Sequence, residues 1–411
     1  MTFCKSCLFD TSHPFGISLD ADGICSGCNI HKEKEELDWG SRLAGLKSIV
    51  KQYKSNTGSY DCIVPITGDR DSFFTLHIVV NVLKLKPLCV VYNTTHFSRW
   101  AHKNIALMKQ AFNVDFQMYL PSQYMVRDFI KSSLFHLGTM YWHVHAGQHT
   151  YPVHMAQKWQ VPLIIWGCHE AVDQVGMFSH LDEVEMSRRY RDDFHLMGSS
   201  PDWLVNKDPF LDRHNWDVYR YPSYASIHNL GIRGIYLSNF IPWNQREQHL
   251  LMSKLYGFYT ARSNVLLNGN ENTGCVFYSG IHDYLRMMSL GYSRNRVHLV
   301  REVRWKRMSL IEAKRHELLH LVGFKFDRKI IKLFSEYLDI RKNALYILLK
   351  SYANSSYWSF EDNNISYTGP LIQDESISCD TFNLVAPSFA ETCTSRVEHT
   401  KPVILSPGVP Y

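Results

Sequence analysis

Two stretches of the chain carry residue types that do chemistry at close spacing. In the first, Thr67-Gly68-Asp69-Arg70-Asp71-Ser72 follows the short apolar run 62–66 and precedes Phe73, Phe74, Leu76, Ile78 and Val79. That order reads as strand, tight polar loop, helix. A helix start leaves several backbone N–H groups without partners and carries a partial positive charge, so Thr, Gly and Ser delivered there suit a phosphate. The loop contains no G-x-x-x-x-G-K-[ST] pattern and is therefore not a Walker A loop. An ordinary βα turn is the plain alternative. In the second stretch, Cys4-x-x-Cys7 and Cys25-x-x-Cys28 are separated by seventeen residues. Each C-x-x-C presents two thiolates, and four thiolates close the tetrahedral shell of a structural Zn2+. The segment between them is too short to bury a core of its own, so the metal is expected to fold it. A redox dithiol is the competing reading.

Positioning these groups requires a sheet. Besides 62–66, the runs 87–92, 114–118 and 161–166 are short and apolar, and helical patterns lie between them. Strands alternating with helices imply an α/β fold with a doubly wound parallel sheet. Ligands of such sheets sit beyond the carboxyl ends of the strands, which places the 67–72 loop, Asn93 and Gly167 on one rim. The strand-end residues Asn93 and Gly167 are candidates for the nucleoside, although Asn and Gly also serve simply to turn the chain.

The remaining chain offers weaker signals. Residues 136–154 are dense in His, Trp and Tyr and read as a substrate-facing loop, with His145 as a candidate contact. His143, His145 and His149 lack a nearby carboxylate and are a poor metal set. Cys168-His169-Glu170 are adjacent residues that do not meet as a nucleophile, base and orienting acid. Residues 179–240 have poor periodicity and read as an irregular insertion. Tyr292, Arg294 and Arg296 open a cationic segment suited to a nucleotide sugar's diphosphate, a solvated basic helix being the alternative. Ser309-x-x-Glu312 is a capping box, and 334–349 reads as an apolar-faced helix. The expected organisation is a zinc module over 1–35, a nucleotide-binding domain over 36–178, a mainly helical substrate-binding region over 179–350 and an extended tail over 351–411.

Composition sets outer bounds. The 411 residues carry a formal net charge of +5, too little to imply nucleic acid. No stretch approaches the length of an apolar membrane span, and the start of the chain lacks an apolar leader segment, so a cytoplasmic protein is expected. Ten cysteines in that setting favour metal or free thiols over disulfides.

Taken together, these motifs resemble a known family. The 67–72 loop resembles the S-G-G-x-D-S pyrophosphatase loop (PP-loop) of enzymes that split ATP between its α and β phosphates, with Thr67 standing for Ser and Asp69 for the second Gly. Combined with the Asp22-Gly23-x-Cys25-x-x-Cys28 knuckle, Asp38-Trp39, the PLIIWG strand and HDYLRMMSLGYSRNR, the chain is similar over roughly residues 1 to 350 to the N-acetyl sugar amidotransferases of bacterial surface-polysaccharide biosynthesis. That family often has Gly-Glu-Asn where this chain has Gly167-Cys168-His169. The resemblance implies an enzyme that converts an acetamido group of a UDP-linked N-acetyl sugar to an acetamidino group, with ammonia from a separate glutaminase subunit. Thr67, Gly68, Asp69, Arg70, Asp71 and Ser72 would hold ATP. Arg70 and Mg2+ would neutralise the departing pyrophosphate, and Asp71 would orient the metal or the loop. Two other readings stand beside it: a tRNA-thiolating enzyme with a related loop, and a non-catalytic scaffold whose loop has degenerated at Asp69.

Overall fold

Strands of four to six residues, buried on both faces, form the centre of the molecule, as expected where helices cover a parallel sheet on each side. The computed structural model describes residues 2–260, 274–275, 277–324, 327–361, 364–374 and 376–377. Strands β1 (Cys62–Pro65), β2 (Pro87–Tyr92), β3 (Asp115–Tyr119), β4 (Leu163–Trp166) and β5 (Arg233–Tyr236) make a five-stranded sheet in the order β3-β2-β1-β4-β5. Every pairing is parallel, with Cys62 opposite Pro87, Ile63 opposite Ile164 and Leu163 opposite Arg233. The chain thus steps outward from β1 to β3, returns to the far side of β1 at β4, and ends at β5.

Alternation along each strand divides the interior in two. Cys62, Val64 and Ile165 point into one core with Phe73, Met108 and Trp243. Ile63, Ile164 and Trp166 point into the other with Tyr92, Trp142 and Tyr151. The first face is covered by α3 (Arg70–Leu76) and α4 (Arg99–Phe112), the second by α6 (Trp142–Trp159). Between α4 and α6 in sequence, α5 (Gln123–Leu137) sends Phe129 into the second core and Ile130 into a third, formed by the C-terminal helices. At the N-terminus the two cysteine knuckles lead into α1 (Ser26–Glu36) and α2 (Trp39–Lys51).

Several expectations are corrected. The stretch 136–154 is largely helical rather than a loop. His143, His145, Gly147 and Pro152 all weaken its helical signal, yet α6 runs through Pro152, stabilised by packing against β1, β2 and β4. The irregular 179–240 region contains β5, whose four residues are too few to show a period. The expected helix 334–349 is two helices, Arg328–Leu338 and Lys342–Ser351, broken where Asp339 takes a left-handed conformation at φ 54°. The tail begins later than residue 351. Strands Trp358–Glu361 and Asn364–Tyr367 form an antiparallel hairpin, and Trp358 and Tyr367 are buried in the third core. Cys379 and Cys393 lie outside the described residues.

Candidate active site and metal centre

The strand order puts a crevice between β1 and β4, because the chain leaves their carboxyl ends toward opposite faces. After β1 it enters α3 on the first face. After β4 it enters a π-helical turn, Ala171–Val175, whose Ala171 and Val175 belong to the second core. This is the switch point at which doubly wound sheets bind ligands, and the 67–72 loop borders it.

The loop is built tightly. Gly68 has φ 82°, and a Cβ there would come within 2.7 Å of the Ala101 carbonyl on α4. Glycine is therefore needed both for the backbone angle and for the approach of α4. Asp69, by contrast, is extended (φ −101°, ψ 179°), so its Cβ carries no strain. Its carboxylate caps α3: Oδ1 accepts the Ser72 N–H at 3.0 Å, and Oδ2 accepts the Thr67 hydroxyl at 2.6 Å. The Ser72 Oγ accepts the Thr67 N–H at 3.0 Å and closes the ring. Arg70 is buried, with Nε 3.4 Å from the Asp71 carboxylate. The groups suited to a phosphate are thus present, and one carboxylate of the chain already uses two of them.

A residue that the motifs do not reveal secures this loop. Asn104, fully buried on α4, donates from Nδ2 to the Gly68 and Tyr259 carbonyls, both at 2.9 Å, and accepts the Tyr259 N–H at 2.9 Å. It clamps the loop to the segment that follows helix Gln245–Tyr256. Only its place on the inner side of an amphipathic helix hints at this role.

The other rim residues serve the backbone. Asn93 accepts the Thr95 N–H at 2.8 Å, a local turn, and is buried. A Cβ on Gly167 would lie 2.9 Å from Thr75 Oγ1 and 3.1 Å from Trp243, so this glycine allows β4 to pack beneath α3. His145 is half-buried on α6, and its carbonyl accepts Nδ1–H of His149 at 2.8 Å. Burial holds His145 at a pKa of about 4 and His149 at about 3, so both imidazoles are neutral.

The cationic segment does not face the crevice with free charges. Arg296 is 2% exposed and lies 3.2 Å from Asp10 and 3.3 Å from Glu317, which also accepts the Ser293 N–H and hydroxyl. Its guanidinium also lies over the buried Tyr292 ring, 4.8 Å from the centroid. Arg294 pairs with Asp283 at 3.5 Å. Both guanidinium groups of the expected diphosphate site are thus engaged by carboxylates: Arg296, with Tyr292 against His13, joins the cysteine module to the C-terminal helices, and Arg294 is tied to Asp283.

Cys4, Cys7, Cys25 and Cys28 are brought together and buried, their sulfurs all within 4.8 Å of one another. Among the described residues they are the one set of three or more His, Cys, Asp or Glu side chains that converges in this way. Metal–sulfur bonds of about 2.3 Å around a tetrahedral ion separate the sulfurs by roughly 3.8 Å, and Cys7 and Cys25 are 3.6 Å apart. The set fits a single ion better than an iron–sulfur cage, which would hold the thiolates farther apart. The N–H groups of Ser6 and Cys25 point at Cys4 Sγ, at 3.3 and 3.2 Å. Arg304 Nη2 lies 3.6 Å from Cys25 Sγ, and its Nη1 donates to the Gln174 carbonyl at 2.7 Å. Ser26 Oγ donates to the Val175 carbonyl at 2.8 Å, and Lys34 pairs with Asp173. The second knuckle therefore docks on the turn that follows β4, one strand away from the 67–72 loop.

Comparison with known proteins adds little to this geometry. No family model matches the chain. An uncharacterized protein of Methanocaldococcus jannaschii is 25% identical over 120 residues, 27% of this chain and 40% of that protein. The chain thus spans well under two thirds of the curated relative it matches. Similar solved structures include an NH3-dependent NAD synthetase from Campylobacter jejuni, at 13% identity and TM-score 0.28, covering 47% of this chain and 92% of that one. An NMN synthetase from Francisella tularensis gives 11% and 0.28, covering 55% and 89%. A U34-tRNA thiolase from Methanococcus maripaludis with its [4Fe-4S] cluster gives 10% and 0.29, covering 77% and 88%. Superpositions at these scores assign no role to any residue of this chain.

Proposed function

We propose that this protein is an ATP-dependent amidotransferase that converts the acetamido group of a nucleotide-linked N-acetyl sugar to an acetamidino group, using ammonia from a separate glutaminase. The observation that carries the reading is the position of Thr67–Ser72: a hydroxyl- and glycine-bearing loop at the head of α3, at the switch point between β1 and β4.

The chemistry follows from what an amide lacks. Its carbonyl is a poor electrophile, so the amide oxygen attacks the α-phosphorus of ATP and the bond to pyrophosphate breaks. The resulting imidoyl adenylate has AMP as its leaving group. The ammonia lone pair then forms the new C–N bond, the C–O bond to AMP breaks, and the proton shed by nitrogen ends on the amidine. No side chain acts as nucleophile, and positioning supplies much of the acceleration. Once Asp69 swings aside, the Ser72 N–H and the Thr67 hydroxyl face the departing pyrophosphate. Asp71 is the carboxylate that would hold Mg2+, whose chemistry would be to neutralise charge on the phosphates. The four cysteines would hold zinc in a structural role, since the shell they form is closed.

A second reading is favoured by one observation. Asp69 already fills the helix start, which suits a scaffold that no longer binds nucleotide. Incubation with ATP, ammonium and a UDP-linked N-acetyl sugar separates the two. The enzyme yields AMP, pyrophosphate and a sugar lighter by the difference between O and NH, whereas a scaffold leaves all three reactants unchanged.

A further inference from the structure

Among the described residues the buried Lys and Arg side chains are Lys34, Arg70, Arg191, Arg294, Arg296 and Arg304. The first five each lie against a carboxylate: Asp173, Asp71, Asp192, Asp283 and the Asp10–Glu317 pair, in that order. Arg304, the last residue of helix Arg294–Arg304, has no such partner among the described residues. Its Nη1 donates to the carbonyls of Asp173 and Gln174, at 3.3 and 2.7 Å, and its Nη2 lies 3.6 Å from Cys25 Sγ. Carbonyl oxygens satisfy its donors but do not balance its charge, and a buried charge without an opposite one is costly.

The chain is built to bring this guanidinium to the sulfurs. Gly27, between Cys25 and Cys28, leaves the room: a Cβ there would come within 2.3 Å of Arg304 Nη2 and 2.7 Å of the Gln174 carbonyl. Gly176, at φ 65°, closes the same contact from the other side, since a Cβ would lie 2.5 Å from the Ser26 carbonyl. The guanidinium also lies over the ring of Phe9, which follows the first knuckle, 5.4 Å from its centroid. Arg304 is thus held between both knuckles and the turn after β4.

The opposite charge is supplied by the cysteines. A divalent ion held by four thiolates leaves a net negative centre, and here all four ligands are buried. Groups that hydrogen-bond or charge-pair with metal ligands set how tightly the ion is held. We propose that Arg304 is the counter-ion of the metal centre: it balances part of the thiolate charge and so fixes metal affinity, while its other nitrogen holds the turn after β4. The inference rests on the four cysteines holding a divalent ion and is independent of the amidotransferase reaction. Because one guanidinium serves both partners, retention of the ion and the seating of residues 171–176 beside the crevice become a single property of the fold. Arg304 is a positioning residue and takes no part in any bond that forms or breaks.

The test is competition for Zn2+ between the full chain and a chelator, in the wild type, in Arg304→Met, which keeps an apolar stem and removes the charge, and in Arg304→Lys, which keeps the charge. Arg304→Met should hold Zn2+ about 10- to 100-fold more weakly, and Arg304→Lys should recover most of the loss. Arg304→Gln, which keeps donors without charge, replaces Arg304→Met if that variant fails to fold. Loading with Co2+ gives a second readout that lost packing would not move: without the cation the sulfurs are richer in electrons, so the sulfur-to-cobalt charge-transfer band should shift to longer wavelength in the neutral variant and stay in place in Arg304→Lys. Wild-type Zn2+ affinity in the folded neutral variant, equal losses in the neutral and Lys variants, or an unmoved cobalt band overturns the counter-ion. A wild type that holds no Zn2+ overturns the metal site itself, and the counter-ion with it.

Discussion

The Asp69 carboxylate accepts the backbone N–H of Ser72 at 3.0 Å, so the start of α3 is capped by the chain's own anion. A phosphate at that helix start would compete with this carboxylate for the same donor. Asp69→Gly should therefore tighten ATP binding about tenfold while costing roughly 0.3 kcal/mol of stability as a cap. Nucleotide titration of the two proteins checks this. Equal affinity in the variant would show that Asp69 does not compete with phosphate, and weaker affinity that it contributes to binding.

Arg296 bridges Asp10 and Glu317, and both carboxylates are buried with it. Removing one member of such a cluster strands the others, so Arg296→Met should destabilise the fold by about 3 to 5 kcal/mol. A denaturant midpoint measures it. An unchanged midpoint with weakened nucleotide-sugar binding would return Arg296 to the substrate.

The cysteine module and the turn after β4 share Arg304, Ser26 and Lys34 as ties. Cys25→Ser, or a chelator, should release the metal and raise amide hydrogen exchange in residues 171–176 as well as in 1–35. Increased exchange confined to 1–35 would mean that the ties carry no strain to the crevice.

Burial holds His145, His149 and His169 at pKa values of about 4, 3 and 4, below the ~6.5 of free imidazole. As pH falls through 6.5 the unfolded chain takes up these protons while the native chain does not. Stability is therefore full above that pH and is lost progressively down to about 3, the lowest of these values. The melting temperature at pH 5 should lie several degrees below that at pH 7.5. Equal values would place these rings in contact with water or with a stabilising anion.

What was legible in the sequence depended on how local the determinant is. The C-x-x-C pairs and β2 follow from contiguous residues, and both appear where their spacing puts them. The parallel sheet came through because short apolar runs alternate with helical patterns. The α6 helix was hidden, since its stability comes from packing on the sheet rather than from propensity. Asn104 joins positions far apart in the chain, and no local pattern announces it. Arg296 misled for the opposite reason: a basic run signals charge but not the acids it will meet, and Asp10 is nearly the whole chain away.

The central claim is that the amide oxygen of the sugar attacks the α-phosphorus of ATP at the head of α3. An N-acetyl sugar labelled with 18O in its acetamido carbonyl, incubated with the protein, ATP, Mg2+ and ammonium, tests it directly. The label should appear in AMP, and Ser72→Ala, which removes the hydroxyl that accepts the Thr67 N–H, should suppress it. Unlabelled AMP, or label retained in the sugar while nucleotide is consumed, would contradict the account.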